Sequence, residues 1–360
     1  MERILQVVTY MGRGGIETML MNYYRRIDRE KIQFDFLVHR DFRADFDDEI
    51  EALGGRIYRV PAMNPVSISY RKALADFFKT HHYRVVHCHL NYMSGVVLAA
   101  AKKAGVPLCI AHAHNTAAQK NWKYYVKRLS ACKIPKYADV LLACGQQAGQ
   151  AIFGGKSFAV QPNAIDAERY RYHNSVRQCK RAELGLRDEL AVIHIGRFDY
   201  QKNHPFLIQL FVELVSLDPT AKLLLVGDGG MRKEIESMTT RLLPAGSVRF
   251  LGIRSDVSAL LQAADVFAFP SYFEGLPVTM IEAQAAGLPC IKSGTVTDEC
   301  VVTDLVQSLP IDDPKVWAEA ILSAKDTPRT DRLADIQRSG YDITAAAEKL
   351  TRFYLNGETL

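Results

Sequence analysis

The fold class that the sequence predicts is α/β, with two domains, each doubly wound around a parallel sheet. Three observations predict it. Short β-type runs alternate with longer helical patterns from end to end. The second half of the chain repeats the logic of the first. The length, 360 residues, is long for a single hydrophobic core and comfortable for two. The expected division is a first domain over 1–160, a second over 161–340 and a terminal helix over 341–360.

In the first half, strands are expected at "RILQVVTY" (3–10), "FDFLVH" (34–39), "RIYRV" (56–60), "RVVHCHL" (84–90), "LCIAHAH" (108–114) and "VLLACG" (140–145). Helical patterns lie between them, as in "IETMLMNYYRRI" (16–27) and "SGVVLAAAKKAG" (94–105). "SFAVQPNAID" (157–166) is strand-like but broken by Pro162 and Asn163, and the hinge is expected there. The second half offers "LAVIHIG" (190–196), "KLLLVGD" (222–228), "SVRFLG" (247–252), "DVFAFP" (265–270) and "PCIKSG" (289–294). "YDITAAAEKLTRFYLNG" (341–357) reads as a helix with Asp342 as cap and a glycine stop. Crossover connections should be right-handed. Ligands of such sheets bind at the carboxyl ends of the strands, so the site is expected in a cleft between the two domains.

Composition narrows the class. With 48% hydrophobic and 24% charged residues, the chain has the profile of an ordinary soluble globular protein. No apolar run approaches the roughly 20 residues of a membrane-spanning helix. The start, "MERILQVVTY", is too short and polar for a signal peptide. Seven cysteines are scattered singly, without a C-x-x-C pair. That argues for reduced thiols in a cytoplasmic protein and against a disulfide frame or zinc site. Charge is uneven: 23 Lys/Arg face 13 Asp/Glu over 1–160, and 22 face 27 over 161–360. The basic half should meet something anionic. Its residues compose no known RNA or DNA module, so no nucleic acid is expected and an anionic membrane surface fits. "KNWKYYVKRLSACK" (120–133) interleaves Lys with Trp122, Tyr124 and Tyr125. It suits a lipid interface about as well as a surface helix with its aromatics in the core.

Several constellations can carry chemistry. In "YMGRGGIE" (10–17), Gly12, Gly14 and Gly15 follow the first strand and open a helix. They permit close backbone approach to a ligand, and the helix N-terminus favours an anion; a tight strand-to-helix turn explains them equally. The spacing fits neither the dinucleotide fingerprint nor the P-loop. In "IGRFDYQKNH" (195–204), Arg197 and Lys202 suit a diphosphate, against the alternative of solvated charge. Gly227 in "LVGDGG", and Ile253 and Arg254 in "FLGIRSDV", sit at further strand-to-helix turns, where they allow close backbone contact and offer backbone groups to a flat base.

"FPSYFEGLPVTMIEAQAAGLP" (269–289) places Glu274 in a loop and Glu282 in the second turn of a half-buried helix beginning at Pro277. The amides of Gly275 and Leu276 face the same place. The carboxylates suit a clamp for ribose or sugar hydroxyls, or a paired general acid and base. His112 and His114 end a strand on one face. A hydrogen-bonding or proton-shuttling role competes with a structural one, and no third metal ligand is near in sequence. His87 and His89 read as structural. Asp45 and Asp47 could hold a divalent metal, but the acidic surroundings read as solvated surface.

Taken together, the Glu274/Glu282 pair, "GRFDYQKN" (196–203), "GRGGIE" and "AAGLP" (285–289) resemble glycosyltransferase family 4, retaining enzymes of the GT-B fold. The resemblance covers nearly the whole chain, and "KNH" with "AHAHN" makes it most similar to bacterial capsular and exopolysaccharide transferases. It implies that Arg197 and Lys202 neutralise a nucleotide diphosphate leaving group, that Glu282 binds ribose, and that Glu274 binds hexose hydroxyls. Gly15 would approach the diphosphate, Ile253 and Arg254 would frame the base, and His114 would contact the donor sugar near the reacting carbon. The terminal helix would return to the first domain. No metal or other cofactor is implied. "SGTVTDECVVTD" (293–304) is less typical, and only Glu299 is singled out there. The expected partners are a nucleotide sugar, with UDP as the nucleotide, and a saccharide or lipid-linked acceptor. The remaining alternatives are a nucleotide-sugar epimerase or phosphorylase on the same fold, or a two-lobed sugar-binding protein without chemistry.

Overall fold

The computed structural model describes residues 1–114, 128 and 130–358. The Lys- and aromatic-rich stretch with Lys120, Trp122, Lys123, Tyr124, Tyr125 and Lys127 lies outside the described residues. The chain forms two compact units, one of Met1–Ile165 with the chain from Asp342 onwards, the other of Asp166–Tyr341.

The first unit contains β1 (Glu2–Val7), β2 (Ile32–Val38), β3 (Ile57–Arg59), β4 (Val85–Cys88), β5 (Leu108–Ala113), β6 (Val140–Ala143) and β7 (Ala159–Val160). They form one sheet in the order β3-β2-β1-β4-β5-β6-β7, with every pairing parallel. The second contains β8 (Ala191–Ile195), β9 (Lys222–Val226), β10 (Val248–Gly252), β11 (Val266–Phe269), β12 (Cys290–Ser293) and β13 (Val306–Leu309). Its order is β10-β9-β8-β11-β12-β13, again all parallel. Each sheet reverses its winding once, between β1 and β4 and between β8 and β11. These are the switch points at which open α/β sheets leave a crevice for ligands.

Central strands are buried on both faces, as helices on either side of a parallel sheet require. The observed strands differ from the expected ones by a few residues at their ends; β8, β9, β11 and β12 stop where Gly196, Gly227, Pro270 and Gly294 begin the next turn. The strand-like stretch 157–166 contributes β7, only two residues long, and one described strand escaped the sequence reading: β13, "VQSL", a polar edge strand with half of its residues exposed. The stretch around Pro162 and Asn163 belongs to the first unit. Tyr23 donates its hydroxyl to the Pro162 carbonyl at 3.0 Å, and Asn22 donates to the Ala164 carbonyl at 3.2 Å. The chain passes to the second unit between Ile165 and Asp166.

The helix Ile343–Asn356 is capped by Asp342, whose side chain accepts from Thr344 N at 3.0 Å, and stops at Gly357 with φ of 72°. Its buried face, Ile343, Ala347, Leu350, Phe353 and Tyr354, joins the core under β1, β2 and the helix Gly15–Arg26. Five cysteines are buried, whereas Cys132 and Cys179 are exposed. Asp47 corrects the reading of a solvated acidic face. It is buried beside Arg59, with N–O at 2.6 Å, while Asp45 sits 3.7 Å from Arg13 at the surface. Among the described residues no helix is long and apolar enough to cross a membrane.

Candidate active site

The second unit's switch point gathers the residues from "GRFDYQKNH" and "FPSYFEGLP". After β8 the chain makes a short 3-10 turn, Tyr200–Lys202, started by Asp199, whose side chain accepts from Lys202 N at 3.3 Å. Asn203 then adopts a left-handed conformation, φ 52°, before the helix His204–Leu217, and donates to the Pro270 carbonyl at 3.2 Å. Tyr272 N donates to the Gln201 carbonyl at 2.9 Å. These two bonds stitch the loop after β8 to the loop after β11.

The stitching brings Lys202 Nζ within 2.8 Å of Glu274 Oε1, while Gln201 Nε2 donates to Glu274 Oε2 at 2.8 Å. The Lys202 and Glu274 side chains are only 15% and 9% exposed, so water screens the pair little. Lys202 Nζ also lies 4.6 Å from the centroid of Phe269. Gly196 makes room for the lysine stem: a Cβ there would stand 2.9 Å from Lys202 Cδ. Gly227 has a different reason from ligand approach. Its φ is 131°, and a Cβ would stand 2.1 Å from the Gly196 carbonyl oxygen, so the turns after β8 and β9 pack backbone to backbone.

The other expected contacts are held by protein partners. Arg197 is 75% exposed and pairs with Asp199 at 2.8 Å. Arg254 forks onto Asp256 at 2.8 and 2.7 Å, beside a 65% exposed Ile253. Pro277 caps the helix Val278–Ala285 and is not its first residue. That helix is more enclosed than half-buried, with Met280 through Ala285 all inside. Glu282 is therefore buried and accepts from the Tyr170 hydroxyl at 2.7 Å. Burial raises its carboxyl above the usual range, with the Tyr170 bond partly offsetting this. Leu276 is buried and Gly275 half-buried. Glu299 lies in a 3-10 turn capped by Thr297. Tyr170 and Gln201 were not legible as site residues, because nothing in local spacing ties them to Glu282 or Glu274.

In the first unit, Gly14 is the N-cap of the helix Gly15–Arg26 and Gly15 faces open space. The first turn also carries Glu17, whose carboxyl burial pushes up to about 6. Sequence reasoning passed over it, although an acid at a helix start is a recognisable signal.

His114 is not alone with His112. β4 and β5 stack four imidazoles, His87 and His89 beside His112 and His114, with ring centroids 4.1 to 5.2 Å apart. His89 Nδ1 lies 2.9 Å from His114 Nε2, and His87 Nε2 lies 3.2 Å from His112 Nδ1. Burial pushes His114 down to about 3 and holds the other three well below the ordinary imidazole range. All four are neutral at neutral pH. His87, His89 and His112 each bring a ring nitrogen within 4.8 Å of the others. Both nitrogens of His87 and of His89 are already hydrogen-bonded, so the geometry supports a bonded chain rather than a cation site.

Comparison with known proteins agrees with this architecture. Residues 13–169 match the family model "Glycosyltransferase Family 4", and residues 176–343 match "Glycosyl transferases group 1". The chain is 36% identical to the "Putative glycosyltransferase EpsF" of Bacillus subtilis (strain 168), over 98% of this chain and 96% of that one. It is 25% identical to the UDP-Gal:alpha-D-GlcNAc-diphosphoundecaprenol alpha-1,3-galactosyltransferase of Escherichia coli, over 79% and 78%. The crystal structure of Anabaena HepE in complex with UDP-glucose superposes with a TM-score of 0.82 at 21% identity, covering 99% of this chain and 100% of that one, a likeness of fold. With both halves matched in order, and a relative of that identity along nearly the whole length, the chain is a glycosyltransferase of the GT-B fold and belongs to glycosyltransferase family 4.

Proposed function

We propose that this glycosyltransferase moves a hexosyl or N-acetylhexosaminyl unit from a UDP-sugar to a lipid-linked saccharide, with retention of anomeric configuration, in the building of a surface polysaccharide. The observation that carries this reading is the half-buried Lys202–Glu274 pair at the switch point between β8 and β11. A cation and a carboxylate held together there are the two groups a sugar diphosphate needs: one for the phosphate, one for the hydroxyls. The relatives favour the substrate class, since the Escherichia coli enzyme is named for UDP-Gal and a diphosphoundecaprenol acceptor. HepE binds UDP-glucose.

Breaking the anomeric bond leaves positive charge on the sugar and negative charge on the departing phosphate. Lys202, supported by Arg197 once it leaves Asp199, stabilises that phosphate charge. Gly15 and the helix start behind it supply backbone N–H groups to the diphosphate. Glu282 serves the ribose and Glu274 the sugar hydroxyls, so Glu274 positions and does not attack. His114 contacts the donor sugar. Ile253 and Arg254 frame the base. The acceptor attacks from the leaving-group side, and the phosphate takes its proton. No metal ion enters this reading; Asp45 and Asp47, the candidates to hold one, lie beside Arg13 and Arg59. The enzyme works in the cytoplasm at the inner face of the membrane, where the basic first half meets anionic lipid.

The test is UDP release from a panel of UDP-sugars, with and without a lipid-linked saccharide. Acceptor-dependent UDP release from one donor, with an axial or equatorial linkage matching that donor, is the expected result. Failure of every UDP-sugar, or phosphate or water as the sole productive co-substrate, overturns the reading.

A further inference from the structure

Four histidines of β4 and β5 and the turns after them, His87, His89, His112 and His114, belong to one continuous hydrogen-bonded chain with a direction. Its centre is Gln6, on β1 at the switch point. Gln6 Oε1 lies 2.9 Å from His89 Nε2, and Gln6 Nε2 lies 3.2 Å from the Tyr354 hydroxyl on the terminal helix. The Tyr354 hydroxyl is 2.6 Å from His87 Nδ1. One arm runs from Gln6 through His89 to His114. The other runs through Tyr354 and His87 to His112. The arms end at His114 Nδ1 and His112 Nε2, both buried and without a partner among the described residues.

A neutral imidazole donates from one nitrogen and accepts at the other, so each link dictates the next. The amide oxygen of Gln6 requires N–H at His89 Nε2. His89 Nδ1 is then bare and must accept from His114 Nε2–H. The amide nitrogen donates to Tyr354, whose O–H donates to His87 Nδ1; His87 Nε2–H then donates to His112 Nδ1. Reversing the amide would invert every link and turn all four rings into the Nδ1–H form. The lengths choose between the two. A separation of 2.6 Å is usual for an O–H donor and shorter than N–H donors make, whereas 3.2 Å suits the amide N–H.

We propose that Gln6 and Tyr354 are positioning residues that hold all four rings as the Nε2–H tautomer, so that His114 presents a bare Nδ1 that can only accept a hydrogen bond. Its ligand is a hydroxyl of the donor sugar; this last step rests on the reading of His114 given under the proposed function. An aspartate or phosphate oxygen, which can only accept, is refused there. Tyr354 gives the terminal helix a role in the site beyond packing.

Long-range 1H–15N spectra of the 15N-labelled full-length protein read the tautomers directly, with assignment by single His→Gln variants. Nε2–H at His87, His89, His112 and His114 is expected; Nδ1–H at His114 overturns the proposal. Tyr354→Phe removes the hydroxyl that orients the Gln6 amide, so mixed tautomers are expected in both arms, and a uniform Nε2–H set in that folded variant removes Tyr354 from its assigned place. Gln6→Leu should give His114 as a mixture of tautomers and lower kcat about tenfold, the worth of about one hydrogen bond. An unmixed His114 in folded Gln6→Leu removes Gln6 from its assigned place. Full UDP release by His114→Ala, with Nε2–H spectra in the parent, overturns the sugar contact and leaves the tautomer assignment standing.

Discussion

Lys202 pairs with a carboxylate, so its loss should register twice, once in stability and once in turnover. Lys202→Met keeps the stem beside Gly196 and Phe269 and removes the charge. Glu274, 9% exposed, then loses its paired cation and keeps the hydrogen bond from Gln201. Uncovering a buried charge costs about 3–5 kcal/mol in fully enclosed pairs; with Lys202 itself 15% exposed, about 2–3 kcal/mol is expected here. Turnover should fall as well, because one charge-assisted hydrogen bond to the phosphate is worth about 1.5–3 kcal/mol, or roughly 10- to 150-fold in kcat/KM. The Lys202→Met/Glu274→Gln double variant separates the two effects. Neutralising both partners removes the stranded charge, so urea midpoints should recover most of the lost stability. UDP release should not recover. If activity returned together with stability, Lys202 would serve only to neutralise Glu274, and the phosphate role would be refuted.

Other outcomes are expected from the same reasoning. Glu17 is raised from about 4.5 to about 6 by burial, so the folded state prefers its protonated form; the stability this contributes is present below about pH 4.5 and lost as pH rises through 6. Glu17→Gln should therefore stabilise the protein at pH 7 by up to about 2 kcal/mol, with the gain shrinking towards pH 4.5; urea unfolding across that range checks the sign. Turnover should be indifferent to a chelator, and a strict Mn²⁺ requirement would reopen the carboxylates of Asp45 and Asp47. Neutralising Lys120, Lys123 and Lys127 together should weaken sedimentation with anionic vesicles and leave neutral vesicles unaffected, as expected for about 1 kcal/mol per basic side chain at such a surface; unchanged pelleting removes the membrane contact.

Alternating apolar runs and helical patterns were enough to find eleven of the thirteen strands among the described residues, because a strand buried on both faces must be apolar along its length. β13 was missed for the same reason, being too polar to carry that signal, while β7 is only two residues of the strand-like stretch 157–166. The sequence by itself also determined the family and the residue types at the strand ends, since loop glycines, Lys202 and Glu274 occur in recognisable local order. Pairing was decided only by tertiary structure. Glu274 meets Gln201 across 73 residues, Glu282 meets Tyr170 across 112, and His87 meets Tyr354 across 267. No local pattern encodes such separations. A buried carboxylate or imidazole takes whatever donor the packed sheet and helices bring within reach, because leaving it unpaired costs more than any local preference can return.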